Sequence, residues 1–178
     1  MDKRTAIQVL TAWDEVGRYV FTLHDLSKLF PGDCPKTLRE GLGRMVQSGL
    51  LQRACRGIYV FPLARGLDSH TIERIAIALR RGEYNYISLE SALSEYGVIS
   101  QIPVDRLTVM TTGRKGLYHT PWGSIEFTHT KRASHDIVAN IRNVGRPLRL
   151  AKPLTAWRDL KRVGRNTHLV DRGALSNV

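Results

Sequence analysis

Apolar residues recur at Ala6, Ile7, Val9, Leu10, Trp13 and Val16, close to the three-and-four spacing that lays one stripe along a helix, here over residues 3–16. Gly17 stops it. Tyr19-Val20-Phe21 is short and β-prone, and Thr22 then serves as N-cap of a second helix through Asp25, Leu26 and Leu29. Pro31-Gly32-Asp33 turns the chain out of that helix. A third helix opens at Pro35, a residue suited to the first helical position, with Asp33 or Cys34 as its cap. At 100° per residue, Leu38, Leu42, Met45 and Val46 share one face, and Lys36, Glu40, Gly43, Arg44 and Gln47 lie opposite. Gly49 closes the helix. Leu50-Leu51-Gln52-Arg53-Ala54, the turn Cys55-Arg56-Gly57 and Ile58-Tyr59-Val60-Phe61 then read as a β-hairpin with a basic turn.

Beyond the hairpin, Ile72, Ile75, Ala76 and Leu79 stripe a helix over residues 68–81 that runs out at Arg80-Arg81-Gly82. In Tyr86-Ile87-Ser88-Leu89-Glu90-Ser91-Ala92-Leu93, Ser88 can cap a further helix, with Ser91 at the capping-box position, and Tyr96-Gly97-Val98-Ile99 ends it. After Pro103 the period changes to two: Leu107–Thr111, Leu117–Thr120 and Ser124–His129, separated by Gly113-Arg114-Lys115-Gly116 and Pro121-Trp122-Gly123, predict an antiparallel meander. A basic, irregular segment follows, and Thr155–Val163 predicts a last short helix showing Arg158, Lys161 and Arg162. The expected fold class is α+β. A winged helix-turn-helix domain occupies residues 1–62, and a basic C-terminal α+β domain, 63–178, packs its helices on a small antiparallel sheet.

Charge sharpens this picture. The chain of 178 residues carries a formal net charge of +11, and such a surplus favours phosphate-bearing partners. Residues 1–62 hold nine Lys and Arg against six Asp and Glu, residues 63–102 four against five, and residues 103–178 fourteen against five. Two basic regions therefore flank a near-neutral centre, which suggests two anionic contacts. No apolar run is long enough to cross a membrane, and Met1-Asp2-Lys3-Arg4 leads into an amphipathic stretch instead of a signal-peptide core, so a cytoplasmic location is expected. Cys34 and Cys55 do not form a CxxC pair, and a reducing compartment disfavours a disulfide between them.

A short helix that is apolar inside and cationic outside, followed at once by a two-stranded ribbon, is the arrangement that lays its helix in a DNA major groove. The expected DNA contacts are Lys36, Thr37, Arg39, Arg44 and Gln47 on the helix and Arg53 and Arg56 on the ribbon. Arginine pairs bidentately with guanine and glutamine with adenine, while ribbon cations grip phosphates or the minor groove. A second anionic partner is expected on Arg80, Arg81, Arg114, Lys115, Lys131, Arg132, Arg158, Lys161 and Arg162.

Three phrases carry a family resemblance: Arg56-Gly57-Ile58-Tyr59; Tyr86-Ile87-Ser88-Leu89-Glu90-Ser91-Ala92-Leu93 with Tyr96-Gly97-Val98-Ile99; and Thr111-Thr112-Gly113-Arg114 leading to Thr120-Pro121-Trp122-Gly123-Ser124-Ile125-Glu126-Phe127. On these the chain resembles the AbiEi family of type IV antitoxins, as a short member, over about residues 4–132. The resemblance implies a repressor that binds inverted repeats of double-stranded DNA in its own promoter. It also implies a C-terminal domain that counters a nucleotidyltransferase toxin in phage defence. Two other readings stay open: an RNA- or protein-binding module working through the basic C-terminal domain, and a stand-alone winged-helix regulator without antitoxin activity.

Enzyme readings find little footing. Gly123-Ser124 is not followed by the paired carboxylates a nucleotidyltransferase needs for its metals. Asp105 and Glu126 could start a nuclease motif, but Thr128 stands where its lysine belongs. His119, His129 and His135 could converge on a metal if the meander folds suitably, but their spacing is a weak signal. The expectation is a binding protein with no cofactor, no bound metal and no catalytic residue.

Overall fold

Asp2 opens the first helix, α1 (Lys3–Glu15), by accepting from the backbone N–H groups of Arg4 and Thr5, and the helix buries Ala6 and Leu10 along one stripe. The computed structural model describes residues 2–99 and 105–176; Pro103, where the period of the sequence changes, lies outside them. It divides into two compact units, Met1–Leu79 and Arg80–Val178.

In the first unit, β1 (Val20–Thr22) leads directly into α2 (Leu23–Leu29). Thr22 caps that helix through a reciprocal box. Its hydroxyl accepts from the Asp25 N–H at 3.0 Å, and the Asp25 carboxylate accepts from the Thr22 N–H at 2.8 Å. Arg18 closes on the same carboxylate at 2.8 Å. Next come α3 (Pro35–Gln47), β2 (Gln52–Cys55), β3 (Ile58–Val60) and α4 (Thr71–Leu79). The three strands form an antiparallel sheet in the order β1-β3-β2, so the hairpin pairs back onto β1. The expected boundary at 62/63 leaves α4 with the second half of the chain, yet α4 packs on β1 and β3 and lies inside the first compact unit. The fully buried Tyr19 hydroxyl meets the Thr71 hydroxyl at 3.0 Å, and buried Asp14 accepts from the Arg65 N–H at 2.9 Å. Both contacts join residues far apart in sequence.

The second unit is built on a six-stranded mixed sheet in the order β6-β7-β5-β4-β9-β8. Its strands are β4 (Asn85–Ile87), β5 (Arg106–Thr111), β6 (Gly116–Thr120), β7 (Gly123–His129), β8 (Ile141–Arg142) and β9 (Arg149–Ala151). The helices are α5 (Leu89–Glu95), α6 (Ser134–Ala139), α7 (Pro153–Val163) and α8 (Arg172–Ser176). α5 packs against both α7 and β5.

Three expectations are corrected here. The sheet is not a small antiparallel one, and β5, β6 and β7 are not a meander: β7 lies between its two predecessors, parallel to β5 and antiparallel to β6. The loop 112–115 therefore crosses the end of β7, where the His129 ring meets the Gly113 carbonyl at 2.9 Å. Burial explains the order. β7 buries Ile125 and Phe127, whereas β6 has no fully buried residue and leaves Leu117 about half exposed, so the poorer strand takes the edge. Nor do Ser88 and Ser91 form a capping box. The Ser88 hydroxyl donates to buried Asp159 at 2.8 Å, and the Ser91 hydroxyl accepts from the Thr108 N–H at 2.8 Å, tying α5 to β5. Among the described residues no helix is long and apolar enough to cross a membrane.

Candidate nucleic-acid interface

α3 buries Leu38, Gly41, Leu42 and Met45, which leaves Lys36, Arg39, Glu40, Gly43, Arg44 and Gln47 exposed on its outer side. Val46 is only half-buried, at the border between the two faces. Cys34 occupies the N-cap position, exposed, with its Sγ 3.2 Å from the Thr37 hydroxyl. That hydrogen bond holds the Cys34 thiol below the ordinary value of 9.0. Thr37 is thus half-buried and engaged with the cap.

Beside α3 the β2–β3 hairpin turns at Arg56-Gly57, where Gly57 takes φ +80°, a conformation open to glycine at little steric cost. A bulge between Arg53 and Cys55 interrupts the register. Such an irregularity bends and twists a strand and re-aims its side chains. Ala54 turns inward, and exposed Arg53 lies directly across from Tyr59.

Helix and hairpin enclose a cleft of about 750 Å³, lined by Arg39, Gly43 and Val46 from α3 and by Arg53, Arg56 and Tyr59 from the hairpin. On the other flank of α3 a second depression is lined by His24 and Ser27 of α2 and again by Arg39. The structure thus gathers Arg39, Arg53 and Arg56 in one place, with Lys36, Arg44 and Gln47 on the same exposed helix. Within the described residues, Lys36, Arg39, Arg44, Arg53 and Arg56 form no ion pair. Tyr59, Gly43 and His24 border the site although none of them is among the DNA contacts expected from the sequence. Tyr59 could have been found from the turn read at Cys55-Arg56-Gly57, which sets it opposite Arg53, the pairing that the bulge produces.

The cations of the second unit are disposed differently. Arg80 donates to the Arg114 carbonyl at 2.8 Å and to the Tyr118 hydroxyl at 3.0 Å, and its guanidinium lies over the Tyr118 and Phe127 rings. Arg132 reaches Asp159 at 2.6 Å, Arg158 approaches Asp136 at 4.0 Å, Lys161 covers the Trp157 ring, and Arg162 donates to the His129 carbonyl at 3.3 Å. Arg81 is exposed in the turn before β4. Arg114, Lys115 and Lys131 are exposed and form no ion pair with a described residue; the first two border an open depression with Glu83, Thr112 and His129. The nine cationic residues expected to form one surface for an anionic partner are therefore mostly spent on internal contacts.

Asp159 is completely buried, and burial pushes its carboxyl up from 3.8, against the opposing pull of the Ser88 hydroxyl and of Arg132. Burial also pushes the neighbouring Tyr86 hydroxyl up to about 12. Glu126 pairs with Arg165 and Arg106. His119 meets the Ser124 hydroxyl at 3.0 Å and His129 a carbonyl. Among the described residues no three His, Cys, Asp or Glu side chains are grouped as metal ligands.

No protein-family model matches the chain, and no curated protein does. Among solved structures, the RV2827C protein from Mycobacterium tuberculosis is similar in fold, with a TM-score of 0.58 and 14% identical residues, over 88% of this chain and 60% of that one. The chain thus spans about three fifths of that protein's length, and the likeness is one of fold.

Proposed function

We propose that the first unit is a winged helix that binds duplex DNA, with α3 entering the major groove and the β2–β3 hairpin as its wing. The order of elements, three helices and a hairpin pairing back onto β1, supports this. The observation that carries it is the cleft where Arg39, Arg53 and Arg56 converge beside exposed Lys36, Arg44 and Gln47. Cations without internal partners keep their full attraction for phosphates, and releasing counterions from DNA is what such a face does best.

On this reading the protein is an autorepressor of its own promoter and a binding protein, not an enzyme. Resemblance to the AbiEi family extends the proposal to an antitoxin whose second unit counters a nucleotidyltransferase toxin. Arg114, Lys115 and Lys131 are then its most available cations. The test is a gel-shift series with duplex from immediately upstream of its own coding sequence. Binding that survives excess scrambled duplex at near-physiological salt is expected; equal competition by both duplexes refutes sequence-specific repression. For the antitoxin arm, co-expression with an adjacent nucleotidyltransferase reading frame should restore growth.

A further inference from the structure

Gly43 stands inside a 13-residue helix, exposed, in the wall of the cationic cleft. Its backbone is ordinary helix, since it is absent from the positive-φ glycines, and a Cβ built there meets nothing within 4 Å. Neither reason that usually keeps a glycine, a left-handed turn or a tight contact within the protein, applies. Glycine is nonetheless the poorest helix former after proline, and alanine the best. The helix forgoes stability at this position with no return inside the described fold.

The surroundings supply the missing reason. Arg39 stands one turn earlier on the same helix, and Arg53 and Arg56 face it from the hairpin. We infer that Gly43 is left bare so that the sugar–phosphate backbone of duplex DNA can lie directly against α3, with Arg39, Arg53 and Arg56 closing on the phosphate. A side chain at position 43 would stand between the three guanidinium groups and hold the phosphate away from them. Charge-assisted hydrogen bonds need donor and acceptor within about 3 Å, so displacement by even a methyl group weakens all three contacts together. This inference rests on the duplex-DNA reading and adds the point of closest approach to it.

The experiment compares the wild-type chain with Gly43→Ala and Gly43→Leu. Fluorescence anisotropy reads binding to a duplex of about 40 base pairs from upstream of its own gene, at about 150 mM salt, and circular dichroism reads the thermal midpoint. Gly43→Ala is expected to melt a few degrees higher than wild type while binding about threefold to tenfold more weakly. Gly43→Leu should melt no lower than wild type and lose more than about tenfold, following side-chain volume. Variants that bind within about twofold of wild type, or that melt lower, overturn the inference while leaving the DNA reading intact. A wild-type chain that does not bind the duplex overturns the DNA reading itself.

Discussion

At the scale of single residues, the arginines of the first unit divide by what they can touch. Arg44 projects from the exposed face of α3 without lining the cleft, whereas Arg53 and Arg56 belong to the hairpin side of it. Arg44→Ala is therefore expected to cost about 1–3 kcal/mol on the promoter and to relax preference at one base pair. Competition with single-base-pair variants of the operator checks this, and an equal loss on scrambled DNA would reassign Arg44 to phosphate. Arg56→Ala should weaken binding alike on all sequences and flatten the salt dependence by about one phosphate. In the second unit, Arg132→Ala strands a fully buried carboxylate at Asp159, and breaking such a pair costs about 3–5 kcal/mol near neutral pH. The sign of the pH dependence follows from the raised Asp159 carboxyl. Its contribution to stability is fully present below 3.8 and lost as pH rises through the higher folded value. Removing Arg132 raises that folded value further, so the deficit of the variant against wild type should shrink on acidification. Urea unfolding at neutral and mildly acidic pH measures the difference. The cationic residues of α3 and the hairpin were legible in the sequence because helical phase and the turn at Cys55-Arg56-Gly57 fix which way they point. Those of the second unit were not, because Asp159 and Tyr118, which take up Arg132 and Arg80, reach them only through the tertiary fold.

At the scale of elements, capping chemistry was the most readable signal. Thr22, picked out as an N-cap, forms a full reciprocal box with Asp25. Thr22→Ala is expected to destabilise the first unit by about 1 kcal/mol, read as a shift in its urea midpoint, and Asp25→Ala by more, since Arg18 loses its partner as well. Strand existence was legible in the period-two stretches, but strand order was not. A four-residue link between β5 and β6 suits a hairpin, and only the competition between Ile125 and Phe127 on one strand and Leu117 on the other decides which strand sits inside. β8 and β9 escaped notice because two and three residues, Ile141–Arg142 and Arg149–Ala151, are too few to show alternation. α6 hid in the same irregular stretch, its cap Ala133 lacking any side-chain hydrogen bond.

For the whole molecule, the division into units falls after α4, since the Tyr19–Thr71 contact and the Asp14–Arg65 contact both tie residues beyond the hairpin to the first sheet and helix. A fragment ending at Leu79 is expected to fold and, on the proposed reading, to bind duplex DNA without countering a toxin. One ending at Pro62 removes α4 and exposes Tyr19, which is fully buried in the intact chain, and should unfold at markedly lower urea. Circular dichroism and anisotropy on the two fragments separate these outcomes. Charge totals mislead at this scale: among the described residues of the second unit, ion pairs, aromatic rings and backbone carbonyls together take up most of the cationic side chains.

The chemistry at the start of α3 turns the protein into its own reporter. Cys34 is exposed and ionises more readily than usual, whereas burial pushes the half-buried Cys55 thiol the other way. An alkylating dye at mildly alkaline pH should therefore label the first well before the second. If α3 meets duplex DNA as proposed, duplex added beforehand would slow that labelling by shielding the tip of the helix, giving a footprint of occupancy that needs neither a mutation nor a tag.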